Sequence, residues 1–96
     1  MQYCYRGHTT PEAALAFAKA FFPSRGLPGN SSGDDAAFSD ARGTITVRVE
    51  IEAGHYTRVT VGTSDVGESE LDKVAKRFLA ELHRLDEPSH VVRGAY

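Results

Sequence analysis

Hydrophobic and polar residues alternate along the middle of the chain, between residues 44 and 52. Every second position is a branched aliphatic residue: Ile45, Val47, Val49 and Ile51. The positions between them are polar: Thr46, Arg48, Glu50 and Glu52. Because successive side chains of a β-strand point to opposite faces, this alternation predicts a strand with one buried and one solvated face.

Residues 56–63 repeat the alternation more weakly and predict a second, antiparallel strand. The residues expected to face the interior are Val59 and Val61. The residues expected to face solvent are Tyr56, Arg58 and Thr60. The shorter segment 36–39, followed by a turn at 40–43, predicts an edge strand that pairs with the first one.

The turn between the two main strands allows two registers that keep the valines on one face. In one register Glu50 lies directly opposite Arg58, and His55 must occupy the left-handed backbone position of the turn. In the other, the pairing shifts by two residues, Gly54 occupies that position, and Glu50 and Arg58 are diagonal neighbours. Glycine adopts the left-handed conformation without steric cost, whereas an exposed ion pair contributes only about 0–1 kcal/mol. The second register is therefore predicted.

Apolar residues spaced three and four apart predict a first helix that ends at Pro23. Thr9 or Thr10 can cap its first turn, and Pro11 suits its first position. The apolar stripe consists of Ala14, Leu15, Ala18, Phe21 and Phe22.

A second helix is predicted before Pro88, with Ser69 or Asp65 as its cap. Its first turns hold the acidic residues Glu68, Glu70 and Asp72, which the helix dipole favours at that end. Its apolar stripe consists of Leu71, Val74, Ala75, Phe78, Leu82 and Leu85.

These elements predict one α+β domain, since 96 residues suffice for a single modest core. The expected architecture is a two-layer sandwich, in which two helices cover one face of an antiparallel meander sheet of three to four strands, in the core order α-β-β-β-α. Residues 2–6 and 90–93 can add strands, and the order then becomes the ferredoxin-like β-α-β-β-α-β, with the long loop and its edge strand as an insertion. Residues 23–33 are rich in turn formers and predict a mobile loop, and residues 86–96 a C-terminal tail.

Composition excludes several classes of protein. No apolar stretch approaches the length of a membrane span, and the N-terminus lacks the features of a signal peptide. A single cysteine, Cys4, excludes an internal disulfide framework and any multi-cysteine zinc site. A net charge of −2 gives no overall attraction to nucleic acid. We therefore expect a soluble, cytoplasmic protein that does not associate with membranes.

No group of residues has the spacing of a catalytic, metal or cofactor site. The histidines, His8, His55, His83 and His90, show no paired metal-ligand spacing. Cys4 is expected to be a small, partly buried thiol, and the adjacent Asp34 and Asp35 are expected to be solvated loop acids. The glycine-rich phosphate-binding motifs are absent. The expectation is a protein that is not an enzyme and holds neither a cofactor nor a metal.

The solvated face of the sheet is the candidate interaction surface, since arginine and tyrosine are enriched at binding hot spots. Its candidate residues are Arg48, Glu50, Tyr56, Arg58 and Thr60. An ordinary solvated face with cross-strand charge pairs explains the same pattern. The leading hypothesis is a non-enzymatic domain that binds a protein partner or a second copy of itself as a homodimer, with sheet edges at 36–38 or at a terminal strand open for pairing.

Two further hypotheses stay open. The first is a small-ligand or enzymatic site in a pocket between the helices and the sheet, under the long loop. The second, which the charge balance makes unfavourable, is weak nucleic-acid binding through Arg6, Arg48 and Arg58.

Overall fold

The structure, a computed structural model, describes residues 2–33, 35–52, 56–64 and 69–86. Five strands and two helices follow one another as β1 (Gln2–Gly7), α1 (Pro11–Ser24), β2 (Gly29–Ser32), β3 (Asp35–Asp40), β4 (Gly43–Glu52), β5 (Tyr56–Thr63) and α2 (Glu70–Asp86). The strands form one antiparallel sheet in the order β1-β5-β4-β3-β2. Both helices pack on one face of this sheet, so the predicted α+β sandwich is confirmed, with five strands in place of three or four.

Two segments add strands that the meander alone does not contain. Residues 2–7 form β1 and pair with β5, as the open alternative at the N-terminus allowed. Residues 29–32 form β2, so the prediction of a loop throughout 23–33 is wrong there. Since β2 pairs with β3, the segment 36–38 lies inside the sheet, and the prediction that it forms an edge is also wrong. Four strands separate the helices, one more than in the predicted core order α-β-β-β-α. Residues 90–93 lie outside the described part of the chain.

Glycine explains how a segment made of turn formers becomes a strand. A Cβ atom added to Gly29 would lie 2.1 Å from the carbonyl oxygen of Ala37 and 2.5 Å from the ring of Phe38. Only glycine therefore allows β2 to approach β3 this closely. Leu27, just before the strand, is fully buried and anchors the segment in the core.

The core lies between the sheet and the helices. The sheet contributes the buried side chains of Ala36, Phe38, Ile45, Val47, Val49, Val59 and Val61. The helices contribute those of Ala14, Ala18, Phe21, Phe22, Leu71, Ala75, Phe78 and Leu82. The predicted inward direction of Val47 and Val59 is confirmed. Ile51 and Leu85, predicted to be buried, are 65% and 55% exposed because each lies near the end of its element, beyond the packed interior.

The helix caps follow the sequence with one correction. The hydroxyl of Thr10 accepts a hydrogen bond from the Ala13 N–H at 3.2 Å, and the hydroxyl of Ser69 accepts one from the Asp72 N–H at 3.2 Å. Helix α1 does not end at Pro23 but includes it and Ser24. The N–H of Arg25 donates a hydrogen bond to the Phe22 carbonyl and that of Gly26 to the Pro23 carbonyl, which closes the last turn.

The register of β4 and β5 contradicts the prediction from the turn. Glu50 lies directly opposite Arg58, and Arg48 lies opposite Thr60. The predicted register would have placed Arg48 directly opposite Arg58, and like charges in that position destabilise a sheet. The observed register therefore avoids two facing arginines, a pairing that the argument from the turn did not weigh.

Candidate functional site

The face of the sheet turned away from the helices, here called the open face, presents side chains in rows that cross the strands. One row, the floor row, crosses all five strands and carries small or uncharged side chains. Its members, in order from β1 to β2, are Gln2, Gly62, Thr46, Ala37 and Asn30. Because three of the five are glycine, alanine or threonine, the floor row lies lower than the row of Arg48 and Asp35 beside it.

Most charged residues of the open face lie in the three rows on one side of the floor row. The second row holds Cys4, Thr60, Arg48 and Asp35. The third holds Arg6, Arg58 and Glu50, and the fourth holds Tyr56 and Glu52. All five residues of the predicted interaction surface thus lie together on the open face, and the row arrangement adds arginine and carboxylate neighbours to them.

A hollow of about 520 Å³ lies over the floor row. It is lined by side chains from every strand, including Gln2, Thr46, Ala37 and Asn30, and Arg48 and Asp35 form part of its wall. A second hollow of about 360 Å³ lies beside it, over Cys4, Arg58, Thr60 and Glu50. Both open on the side away from the helices, whereas the small-ligand hypothesis placed a pocket between the two layers.

Ion pairs hold most of the charged side chains of the open face in place. Arg48 Nε lies 3.0 Å from Asp35 Oδ1. Glu52 receives two arginines, Arg6 at 2.5 Å and Arg58 at 3.4 Å. Within the described residues, Glu50 forms no such pair. Because the side chains are substantially exposed, these pairs contribute little to stability, but they fix where the charges lie.

Cys4 lies exposed on the open face, so the prediction of a partly buried thiol is wrong. The Nε–H group of Arg58 donates a hydrogen bond to Cys4 Sγ over 3.2 Å, and Thr60 Oγ1 lies 3.5 Å from the same sulfur. Both contacts stabilise the thiolate, Arg58 more strongly, and they hold the pKa of the Cys4 thiol below its ordinary value. The prediction failed because the alternation in β1 does not show which of its side chains face the helices. In the structure Tyr3 and Tyr5 contact α2, so Cys4 lies on the opposite side.

Asp72 is the polar residue whose role the sequence did not indicate. It is fully buried where α2 passes β1. The hydroxyl of Tyr3 donates a short hydrogen bond to its Oδ1, and Lys76 Nζ lies 3.2 Å from its Oδ2. Asp72 Oδ2 therefore lies within ion-pair distance of Lys76. No described residue donates a well-aligned hydrogen bond to this oxygen. The hydrogen bond from Tyr3, and to a smaller extent Lys76, keeps the pKa of Asp72 below its ordinary value. The hydrogen bond between Tyr3 and Asp72 also raises the pKa of Tyr3.

The histidines and remaining acids stay apart from one another. His8 packs against the ring of Tyr56, with ring centres 5.2 Å apart, and His83 Nδ1 lies 3.3 Å from the hydroxyl of Tyr5. Asp40 binds Arg42 at the turn between β3 and β4. Among the described residues no three metal-ligating side chains come together. Asp34, His55 and His90 lie outside those residues.

Comparison with known protein families and with curated proteins returns no match to this chain. Neither helix, within the residues described, is long and apolar enough to cross a membrane.

Proposed function

We propose that this chain is a non-enzymatic protein-interaction domain whose open face binds another polypeptide or a second copy of the chain. One observation carries the proposal: a hollow floored by small side chains crosses all five strands beside a row that holds the oriented ion pair of Arg48 and Asp35. A face that served only to stay hydrated would not need a continuous low row. No cofactor or metal is part of the proposal.

The dimensions of the floor row suit a polypeptide segment. Five strands about 4.8 Å apart give a row of about 19 Å, which matches about six residues of extended chain. Amide side chains, Gln2 and Asn30, stand at the two ends of the row and can donate and accept hydrogen bonds. The small residues between them leave room for the partner's side chains.

The charges beside the hollow favour a protein partner over nucleic acid. Each arginine on the open face lies near a carboxylate of the same chain, and the net charge of the chain is −2. A phosphate backbone needs an excess of positive charge, whereas paired and oriented charges provide specificity toward another protein surface. Nucleic-acid binding through Arg6, Arg48 and Arg58 therefore stays the weakest of the three hypotheses.

Selection from a displayed library of random twelve-residue peptides tests the proposal with a matched pair of variants. Ala37→Arg fills the hollow, and Ala16→Arg adds the same exposed side chain on α1, in the other layer. Peptides selected against the wild-type chain are expected to lose at least tenfold in affinity, about 1.4 kcal/mol, with Ala37→Arg and to keep it with Ala16→Arg. Peptides that bind both variants equally, or a selection without enrichment together with a wild-type chain that stays monomeric, would contradict the proposal.

A small-molecule ligand is the second candidate, because about 520 Å³ lies within the range of ligand pockets. Thermal-shift screening against metabolites distinguishes it from the first. A ligand present at about 100 times its Kd adds about 2.7 kcal/mol of stability, and Ala37→Arg is expected to remove that gain. A stability gain that Ala37→Arg leaves unchanged would place the ligand elsewhere.

The proposal also places the chain in the cytoplasm. Cys4 is free and exposed, and Arg58 lowers the pKa of its thiol. Such a thiol is easily oxidised, and a reducing compartment keeps it intact. Labelling of intact cells with N-ethylmaleimide is expected to modify Cys4. A Cys4 that is already oxidised would indicate an oxidising compartment instead.

A further inference from the structure

The charges of the open face change sign between two neighbouring strands. In the third row, β1 and β5 carry Arg6 and Arg58, and β4 carries Glu50. Glu52, in the fourth row, adds a second carboxylate to β4. One half of this part of the face is therefore cationic and the other half anionic, with the boundary between β5 and β4.

Glu50 is available to another molecule although it lies directly opposite an arginine. The guanidinium of Arg58 is directed toward Cys4 and Glu52, at 3.2 and 3.4 Å. None of the described residues forms an ion pair with Glu50, whose side chain is exposed. The face thus presents a carboxylate that no described residue holds in an ion pair, next to the partly exposed guanidinium of Arg58.

We propose, on the basis of the proposed function, that the polypeptide bound by the open face is a second copy of this chain. The two copies would be related by a two-fold axis that lies between the two facing sheets. The axis runs parallel to the strands, above the boundary between β4 and β5. This axis places Arg58 of each chain over Glu50 of the partner subunit. Because a two-fold axis forms the same contact twice, the sign change within one face becomes complementarity between two faces.

The same axis brings the low parts of the two faces together. It places Gly62 of each chain over Thr46 of the partner subunit, at the centre of both floor rows. Facing sheets pack about 10 Å apart, and small residues at the centre let the backbones reach that distance while the longer side chains meet around them.

The area of the face agrees with a weak dimer. Each strand residue covers about 16 Å² of sheet. The axis between β5 and β4 leaves β2 of each chain without a facing strand, so the other four strands offer at most about 480 Å² per chain on this estimate. Two such faces bury at most about 960 Å², close to the roughly 1,000 Å² below which interfaces are weak and transient. We therefore expect a Kd in the micromolar range that rises with salt, because exposed charges are screened.

Sedimentation velocity of the charge variants tests this arrangement. Glu50→Arg makes both facing positions positive, and Arg58→Glu makes both negative, so each variant alone is expected to lose at least tenfold in self-affinity. An equimolar mixture of the two is expected to form a species of twice 10.4 kDa, since every contact across the axis is then attractive. Ala16→Arg serves as the control that dimerises like the wild-type chain.

Thr46→Arg keeps the existing charge pairs and fills the centre of the interface, so it is expected to abolish the dimer even if a charge variant folds poorly. Amide spectra confirm that each variant is folded. A wild-type chain that stays monomeric at about 1 mM, or a mixture that fails to associate while both variants are folded, would overturn self-association. If selected peptides still bind the hollow in that case, the proposed function stands and only the identity of the partner is wrong.

Discussion

The two edge strands of the sheet are held in opposite ways. β1 is held by side chains on both faces: Tyr3 binds Asp72 and Tyr5 contacts His83 on the helix side. On the open side, Cys4 contacts Arg58 and Thr60, and Arg6 pairs with Glu52.

β2 has none of these contacts among its described side chains. Its four residues are glycine, asparagine and two serines, and what holds it is the ladder to β3, the close fit of Gly29 over Phe38 and the buried Leu27 beside it. Polar side-chain contacts therefore hold β1, whereas β2 is held by a close backbone approach that only glycine allows. The two edges should respond to different substitutions.

Gly29→Ala is expected to have the largest effect. The added methyl group would overlap the Ala37 carbonyl and the Phe38 ring, so β2 must move away from β3. Overpacking of this kind costs about 1–3 kcal/mol, and the free energy of unfolding in urea measures it. Ser31→Ala, an exposed position of the same strand, is the control and is expected to stay within about 0.5 kcal/mol of wild type. Equal stability of the two variants would show that the close approach does not hold β2.

Tyr3→Phe breaks the corresponding contact at the other edge, with a smaller expected effect. It leaves the buried Asp72 carboxylate without its donor, and a buried charge that loses a partner is destabilising. Tyr56→Phe removes the hydroxyl of an exposed tyrosine and is the matched control. Urea unfolding should rank the loss of stability as Gly29→Ala, then Tyr3→Phe, then Tyr56→Phe. A Tyr3→Phe variant as stable as Tyr56→Phe would show that the hydrogen bond from Tyr3 to Asp72 does not hold β1 in place.

The pH dependence of stability sharpens this second comparison. Because Tyr3 and then Lys76 lower the pKa of Asp72 in the folded state, the stabilisation is complete above the unfolded pKa of about 3.9 and is lost as the pH falls through the folded value. The difference in stability between wild type and Tyr3→Phe should therefore be constant near neutral pH and shrink below about pH 4. A difference that is unchanged in acid would show that the Asp72 carboxylate is not involved.

The reactivity of Cys4 tests the open side of β1, where the expected effect is the smallest. Arg58→Gln removes the main cause of the lowered thiol pKa, so alkylation by iodoacetamide near pH 7 should slow by about threefold. Arg48→Gln removes a neighbouring arginine that does not bond the sulfur and should leave the rate unchanged. Equal rates in both variants would contradict the Arg58–Cys4 contact.

The difference between the two edges also explains what could be predicted from the sequence. The alternation around Val47 and the helical spacing around Phe78 report burial directly, so the sandwich and the open face followed from them. β2 could not be recognised because its residues are turn formers whose strand conformation depends on one close contact with Phe38. Asp72 looked like a helix-capping acid, since only the tertiary position of Tyr3 makes it a buried partner.

The sequence itself contains the information that favours the observed register of β4 and β5. Of the two registers considered, one opposes Arg48 and Arg58, and the other places Glu50 opposite Arg58. Comparison of these pairs decides between them, whereas the turn glycine does not. These cross-strand pairs determine where the charges of the open face lie. The charge arrangement of the face therefore depends on the register, whereas the position of the face in the fold does not.

Amide chemical shifts of the ¹⁵N-labelled chain, followed from about 10 µM to about 1 mM, test most directly whether the open face is the surface that binds. Concentration-dependent shifts are expected at Thr46, Thr60 and Gly62, with α1 unchanged. Shifts confined to α1 and α2, or a spectrum that does not change with concentration, would contradict self-association through this face.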